Sequence, residues 1–164
     1  MSAAPFDPLR ILKTLHRHGV RFVIIGGIAG RLWGSPTVTN DLDICYGRDG
    51  ANLAALAGAL RDLKVKLRGA ERDLKFVADP RTLENGDHFT FTTVAGNLGC
   101  IGTPKGSGGY ETLARNAESM DVGGVDVLVA ALPELVAMKR AAGRPKDLIE
   151  VAILTAMRDE IERG

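Results

Sequence analysis

The chain has 164 residues, a length that suits one domain. Its 45% apolar and 25% charged residues describe a folded globular protein and exclude an intrinsically disordered one. A net charge of +1 excludes a strongly basic nucleic-acid scaffold, and no apolar run approaches the roughly 18 residues that a membrane span needs.

The start, "MSAAPFDPLR", lacks the charged-then-apolar order of a signal peptide, so a cytoplasmic protein is expected. Asp7-Pro8 opens the first helix, because Asp is a good N-cap and Pro suits the first helical position. Leu9, Ile11, Leu12 and Leu15 form its apolar stripe, and Gly19 ends it after His16, Arg17 and His18. "RFVIIGG" reads as a short buried strand, "IAGRLWG" as a short helix and "SPTVTN" as a connector. "DLDICY" is a second strand. "ANLAALAGALRDLKVKL" is an amphipathic helix with Leu53, Leu56, Leu60 and Leu63 on one face.

The middle is less regular. A strand is expected near Leu74–Val77, and Pro80 starts a turn. "HFTFTTV" alternates like a half-exposed strand, "AGN" is a tight turn, and "LGCIG" returns as the partner strand. "GSGGYETLARNAESM" is a glycine-rich loop and a short helix, and "MDVGGVDVLVA" is a second hairpin. Two helices over 132–162 end the chain. The expectation is an α+β fold: one domain over 1–164, with a small mixed sheet packed by helices. Cys45 and Cys100 fall in apolar strands and read as buried, reduced thiols; the spacing of His16, His18 and His88 supports no zinc site.

Three features carry chemistry. Residues two apart on a strand share a face, so Asp41 and Asp43 project side by side while Leu42 and Ile44 point to the core. Two such carboxylates repel unless a cation sits between them, and Mg²⁺ is an apt one; a solvated strand end is the plain alternative. Gly26-Gly27 lies between a strand and a helix start, where free amides and the helix dipole favour a phosphate; a simple tight turn is the plain alternative. "KRAAGRPK" clusters Lys139, Arg140, Arg144 and Lys146 before Asp147. Either Lys139 or Lys146 faces a triphosphate or an RNA acceptor, or the cluster is a solvated helix corner. Trp33 is either a core residue or a stacking platform for a base.

Together, an apolar strand, Gly26-Gly27, one short helix and Thr39-Asn40-Asp41-Leu42-Asp43 resemble the DNA polymerase β-like nucleotidyltransferase superfamily. The ending, from "GYETLARNAESM" through "RPKDLIEVAIL", resembles that superfamily's small bacterial branch of minimal and abortive-infection toxin-type enzymes. The resemblance implies that Asp41 and Asp43 are the catalytic and metal-holding acids, with Mg²⁺ or Mn²⁺ as cofactor. It also implies that Gly26, Gly27, Thr39 and Lys139 bind the nucleotide. The implied reaction moves NMP from an NTP to a hydroxyl of RNA, protein or a small molecule. The implied partners are an antitoxin or a second copy of the chain; no DNA-binding motif or membrane segment is seen. One position departs. The branch carries a third carboxylate in a Gly-x-Leu-Asp stretch, and here Gly96-Asn97-Leu98-Gly99 stands in its place. Asp87, Asp121 or Asp126 could substitute if that register is wrong. Otherwise the acceptor is activated without a carboxylate, or the protein is an impaired nucleotidyltransferase that binds a nucleotide or a partner.

Overall fold

The computed structural model describes residues 5–69 and 76–164. Helix α1 (Pro8–Arg17) starts where Asp7 accepts the Arg10 amide at 3.1 Å, and leads to strand β1 (Phe22–Ile25). Helix α2 (Gly26–Trp33) follows β1 without a break. Strand β2 (Asp41–Tyr46) precedes helix α3 (Gly50–Asp62), strand β3 (Lys66–Leu67) and helix α4 (Pro80–Asn85). Strands β4 (His88–Thr93) and β5 (Gly96–Ile101) form the first hairpin. Helix α5 (Tyr110–Asn116) leads to the second hairpin, β6 (Glu118–Val122) and β7 (Val125–Val129). Helices α6 (Leu132–Ala142) and α7 (Pro145–Arg163) complete the chain.

The strands form one seven-stranded sheet in the order β3-β4-β5-β2-β1-β7-β6. It is mixed: β1 pairs antiparallel with β2 and parallel with β7, and β2 pairs parallel with β5. The expected α+β architecture is therefore the observed one. Residues directly opposite on paired strands share a face. Asp41 and Asp43 therefore share theirs with Asn97 and Gly99 on β5 and with Thr92 and Thr90 on β4. Leu42, Ile44 and Tyr46 alternate with the two acids and are fully buried, as is Leu56 of α3. Among the described residues no helix is long and apolar enough to cross a membrane.

Four expectations change. The helix over "ANLAALAGALRDLKVKL" stops at Asp62, not Leu67. Leu63 is buried, Lys64 takes a positive φ of 52°, and Lys66-Leu67 leave the helix to pair with Thr92 and Phe91 of β4. Sheet pairing overrides a helical pattern that local sequence alone continues. The Pro80 turn is a helix, α4, capped by Asp79, which accepts the Thr82 amide at 2.7 Å. The strand expected near Leu74–Val77 begins outside the described residues, and Phe76 and Val77 are irregular; Phe76 instead packs its ring against Phe89 and Phe91. The short helix expected from Ile28 begins two residues earlier, so the glycine pair is its first turn.

Candidate active site

β1 delivers the chain to the site. Ile25 pairs with Asp43, so the next residue, Gly26, lies beside that carboxylate. Gly26 has φ +71°, a conformation that side chains disfavour, and a Cβ there would come within 2.6 Å of Asp43 Oδ2. A Cβ on Gly27 would come within 2.9 Å of Thr39 Cβ. Gly26 thus serves both the turn and the close approach, and Gly27 the close approach alone. No side chain caps the start of α2, so its first amides face the site unclaimed by a cap.

Asp43 is half-buried, and its carboxylate has no hydrogen bond among the described residues. Burial raises its pKa most, and the neighbouring Asp41 charge raises it further; Lys139, His88 and Arg144 pull the other way. Asp41 is more exposed and pairs with Arg68 at 3.3 Å. The hydroxyl of Thr39 accepts the Asp41 amide at 3.4 Å. Gly26, Gly27, Thr39, Asp41 and Asp43 are thus brought together where β1 ends.

Lys139 reaches the same cleft from α6, but its ammonium lies 3.6 Å from Asp147. Arg144 holds that same acid with its Nε at 2.6 Å and Nη2 at 3.2 Å. Asp147 is 1% exposed. Burial alone would raise its pKa, but the Arg144 hydrogen bonds and charge, then Lys139, hold it below the usual value. Lys146 lines the cleft as well. Trp33 donates its indole N–H to the Ala130 carbonyl at 2.9 Å and packs on the core.

Gly99 pairs directly with Asp43 on the adjacent strand. A Cβ at Gly99 would collide with Asp43 Oδ1, so the Asp43 carboxylate leans over the place where a side chain would be. The other acids do not replace it. Asp87 borders the cleft but accepts the Thr103 amide at 3.2 Å and the Thr103 hydroxyl at 3.1 Å, and pairs with Arg48 at 3.3 Å. Asp121 and Asp126 face each other across the β6–β7 hairpin, whose turn meets Leu9 of α1 at the far end of the sheet from Gly26. Among the described residues no group of three or more His, Cys, Asp or Glu is placed to hold a metal.

Two residues at the site, His88 and Glu150, carried no sequence expectation there, and Arg144 only that of its basic cluster. His88 and Arg144 border both clefts that meet at Asp43: one of about 340 Å³ beside Gly26, Leu135 and Met138, the other of about 530 Å³ beside Gly27, Thr39 and Lys146. Both volumes are in the range of small-molecule sites. Glu150 on α7 is buried and borders the second cleft. Its signal was available in outline: Asp147, Glu150 and Leu154 recur at i, i+3 and i+7, one helix face with two acids on it.

The donor set fits a hard divalent cation. Two carboxylates stand on one strand face, one without a hydrogen-bond partner among the described residues, beside uncapped helix amides suited to phosphate. Mg²⁺ is commonly held by one or two carboxylates, with phosphate oxygens and water completing its shell.

No protein-family model matches this sequence, and no curated protein matches it. Solved structures do match in three dimensions. The lincosamide antibiotic adenylyltransferase LnuA, solved with lincomycin, superposes with a TM-score of 0.61 at 12% identity, over 92% of this chain and 95% of that one. ANT(2'')-Ia, in complex with adenylyl-2''-tobramycin, gives 0.56 at 16% identity, over 95% and 89%. A Thermotoga maritima protein assigned to the nucleotidyltransferases gives 0.52 at 14% identity, over 98% of each chain. The fold is that of a nucleotidyltransferase.

Proposed function

We propose that this chain binds a nucleoside triphosphate with Mg²⁺ or Mn²⁺ and transfers its nucleotidyl group to a hydroxyl acceptor. The observation that carries the reading is the meeting of the uncapped start of α2 with two carboxylates on the adjacent strand. Asp41 and Asp43 would hold the metal, which when bound supplies Lewis-acid neutralisation of phosphate charge. The Gly26 and Gly27 amides receive phosphate oxygens, and Thr39 shapes the wall opposite Gly27. Arg144 and Lys146 add positive charge, and Lys139 does so to the extent that Asp147 leaves it free. The acceptor oxygen bonds to the α-phosphorus as the bond to the bridging oxygen breaks, and pyrophosphate leaves. With glycine at 99, the acceptor proton passes to water or to a substrate phosphate oxygen. LnuA with lincomycin and ANT(2'')-Ia with adenylyl-2''-tobramycin support a small hydroxyl compound as acceptor, beside RNA or protein. The resemblance of the C-terminal segment to the toxin-type branch extends the proposal to a toxin held in check by an antitoxin.

Gly99 favours a second reading: a nucleotide- or partner-binding protein without turnover. One experiment separates the two. The chain is incubated with each α-labelled NTP, Mg²⁺ or Mn²⁺, and a mixed pool of RNA, protein and small hydroxyl compounds, beside the Asp41→Asn/Asp43→Asn variant. Labelling by the wild type alone is expected. Equal labelling by both would sink the enzyme reading, and metal-dependent NTP binding without labelling would establish the second.

A further inference from the structure

We infer that Glu150 is a positioning residue for nucleotide binding, holding the α2–β2 linker in place over the start of α2. The inference rests on the nucleotide-binding reading above. α7 begins with its polarity inverted: Asp147 and Glu150 are buried, while Leu148 and Ile149 between them are 51% and 65% exposed. A buried carboxylate is costly unless its oxygens are satisfied. Asp147 is satisfied by Arg144. Glu150 has no ion pair among the described residues, and its two oxygens take hydroxyl hydrogens instead. Ser35 Oγ donates to Oε1 at 2.8 Å and Thr37 Oγ1 donates to Oε2 at 2.5 Å.

Both donors lie on one short linker, the one that carries Thr39 across Gly27 and then enters β2 at Asp41. Arg31 of α2 also holds this linker, donating to the Thr37 carbonyl at 3.1 Å. Gly30 lets α7 come close enough, since a Cβ there would be 3.1 Å from Glu150 Oε1. The carboxylate therefore joins α7, the linker and α2 at one point. An apolar residue at 150 could pack α7 against α2. It could not set the position of the linker, because hydrogen bonds are directional and apolar contacts are not.

The test uses the full chain and four probes: ATP, GTP, CTP and UTP, each with Mg²⁺. Dissociation constants and backbone hydrogen exchange over residues 35–40 are measured for the wild type, Glu150→Ala, Glu150→Gln and Thr37→Val. Glu150→Ala is expected to speed exchange over 35–40 and to weaken binding of the accepted nucleotide about tenfold. In turnover, that loss falls on KM and leaves kcat nearly unchanged. Glu150→Gln retains one acceptor oxygen and most of the affinity, and Thr37→Val falls between the two. Unchanged affinity in both Glu150→Ala and Thr37→Val overturns the inference, as does faster exchange with unchanged affinity. If Glu150→Ala does not fold, Thr37→Val alone decides. A wild type that binds none of the four nucleotides overturns the reading beneath the inference, and is told apart because the unmodified chain itself fails.

Discussion

On the proposed transfer reading, replacing Gly99 by Asp should speed nucleotidyl transfer. Position 99 pairs with Asp43 on the adjacent strand and shares its face, so an Asp there would project beside the acid pair. The new Cβ meets Asp43 Oδ1, which is the far end of a rotatable side chain and not backbone. Displacing it should cost about 0.5–1.5 kcal/mol, the scale of an off-rotamer torsion. General-base assistance typically contributes about 100- to 10,000-fold, or roughly 2.7–5.4 kcal/mol of barrier. The gain exceeds the cost by at least about 1.2 kcal/mol, so the transfer rate should rise about eightfold or more. Gly99→Asn is the control: it is nearly the same size and cannot accept the proton as a carboxylate does. The assay is single-turnover transfer from the α-labelled NTP that the wild type binds, with thermal melting to confirm the fold. A folded Gly99→Asp variant that binds NTP normally, yet transfers no faster than Gly99→Asn, would refute the reasoning.

Other expectations follow from the same geometry. Asp43 has a raised pKa when folded, so its charge destabilises the fold above that pKa, and the penalty fades as pH falls through it. Asp43→Asn should therefore raise Tm at pH 7–8, with the difference vanishing in melts near pH 4. Asp147 has the opposite sign: its pKa is lowered, so its stabilisation is present above the ordinary carboxylate value and is lost as pH falls through the folded one. Asp147→Ala leaves Arg144 and Lys139 without their buried partner and should cost about 3 kcal/mol in denaturant unfolding, the low end for such pairs because Arg144 is 59% exposed. Gly26→Ala should lose about 1–2 kcal/mol from its left-handed backbone alone, and metal-dependent NTP binding should fall with it because the methyl group displaces Asp43.

Much of the site can be read along the chain, because its parts are local. Gly26-Gly27 follows an apolar strand, and the alternation of Asp41, Leu42, Asp43 and Ile44 assigns the acids to one face and the aliphatics to the other before any contact is known. The N-caps at Asp7 and the hairpin glycines at 123–124 are equally local signals, and the chain folds accordingly at both places. What lies beyond is non-local. The end of α3 at Asp62 is decided by β4, which claims Lys66 and Leu67 for the sheet edge. Glu150 looks like an ordinary surface acid on a helix until α7 packs on α2 and the Ser35 and Thr37 hydroxyls close on it. Lys139 looks like a free phosphate partner until Asp147 is seen beside it.

Position 99 shows the division most clearly. Along the chain, the resemblance to the nucleotidyltransferase branch implies a third acid where Gly99 stands, and leaves Asp87, Asp121 and Asp126 open as substitutes. What that glycine means depends on the folded sheet. Parallel pairing of β5 with β2 sets it directly against Asp43 and leaves Asp87, Asp121 and Asp126 engaged or distant. Strand alternation is a property of neighbouring residues, whereas which strands become neighbours is settled only when distant segments bury a common core.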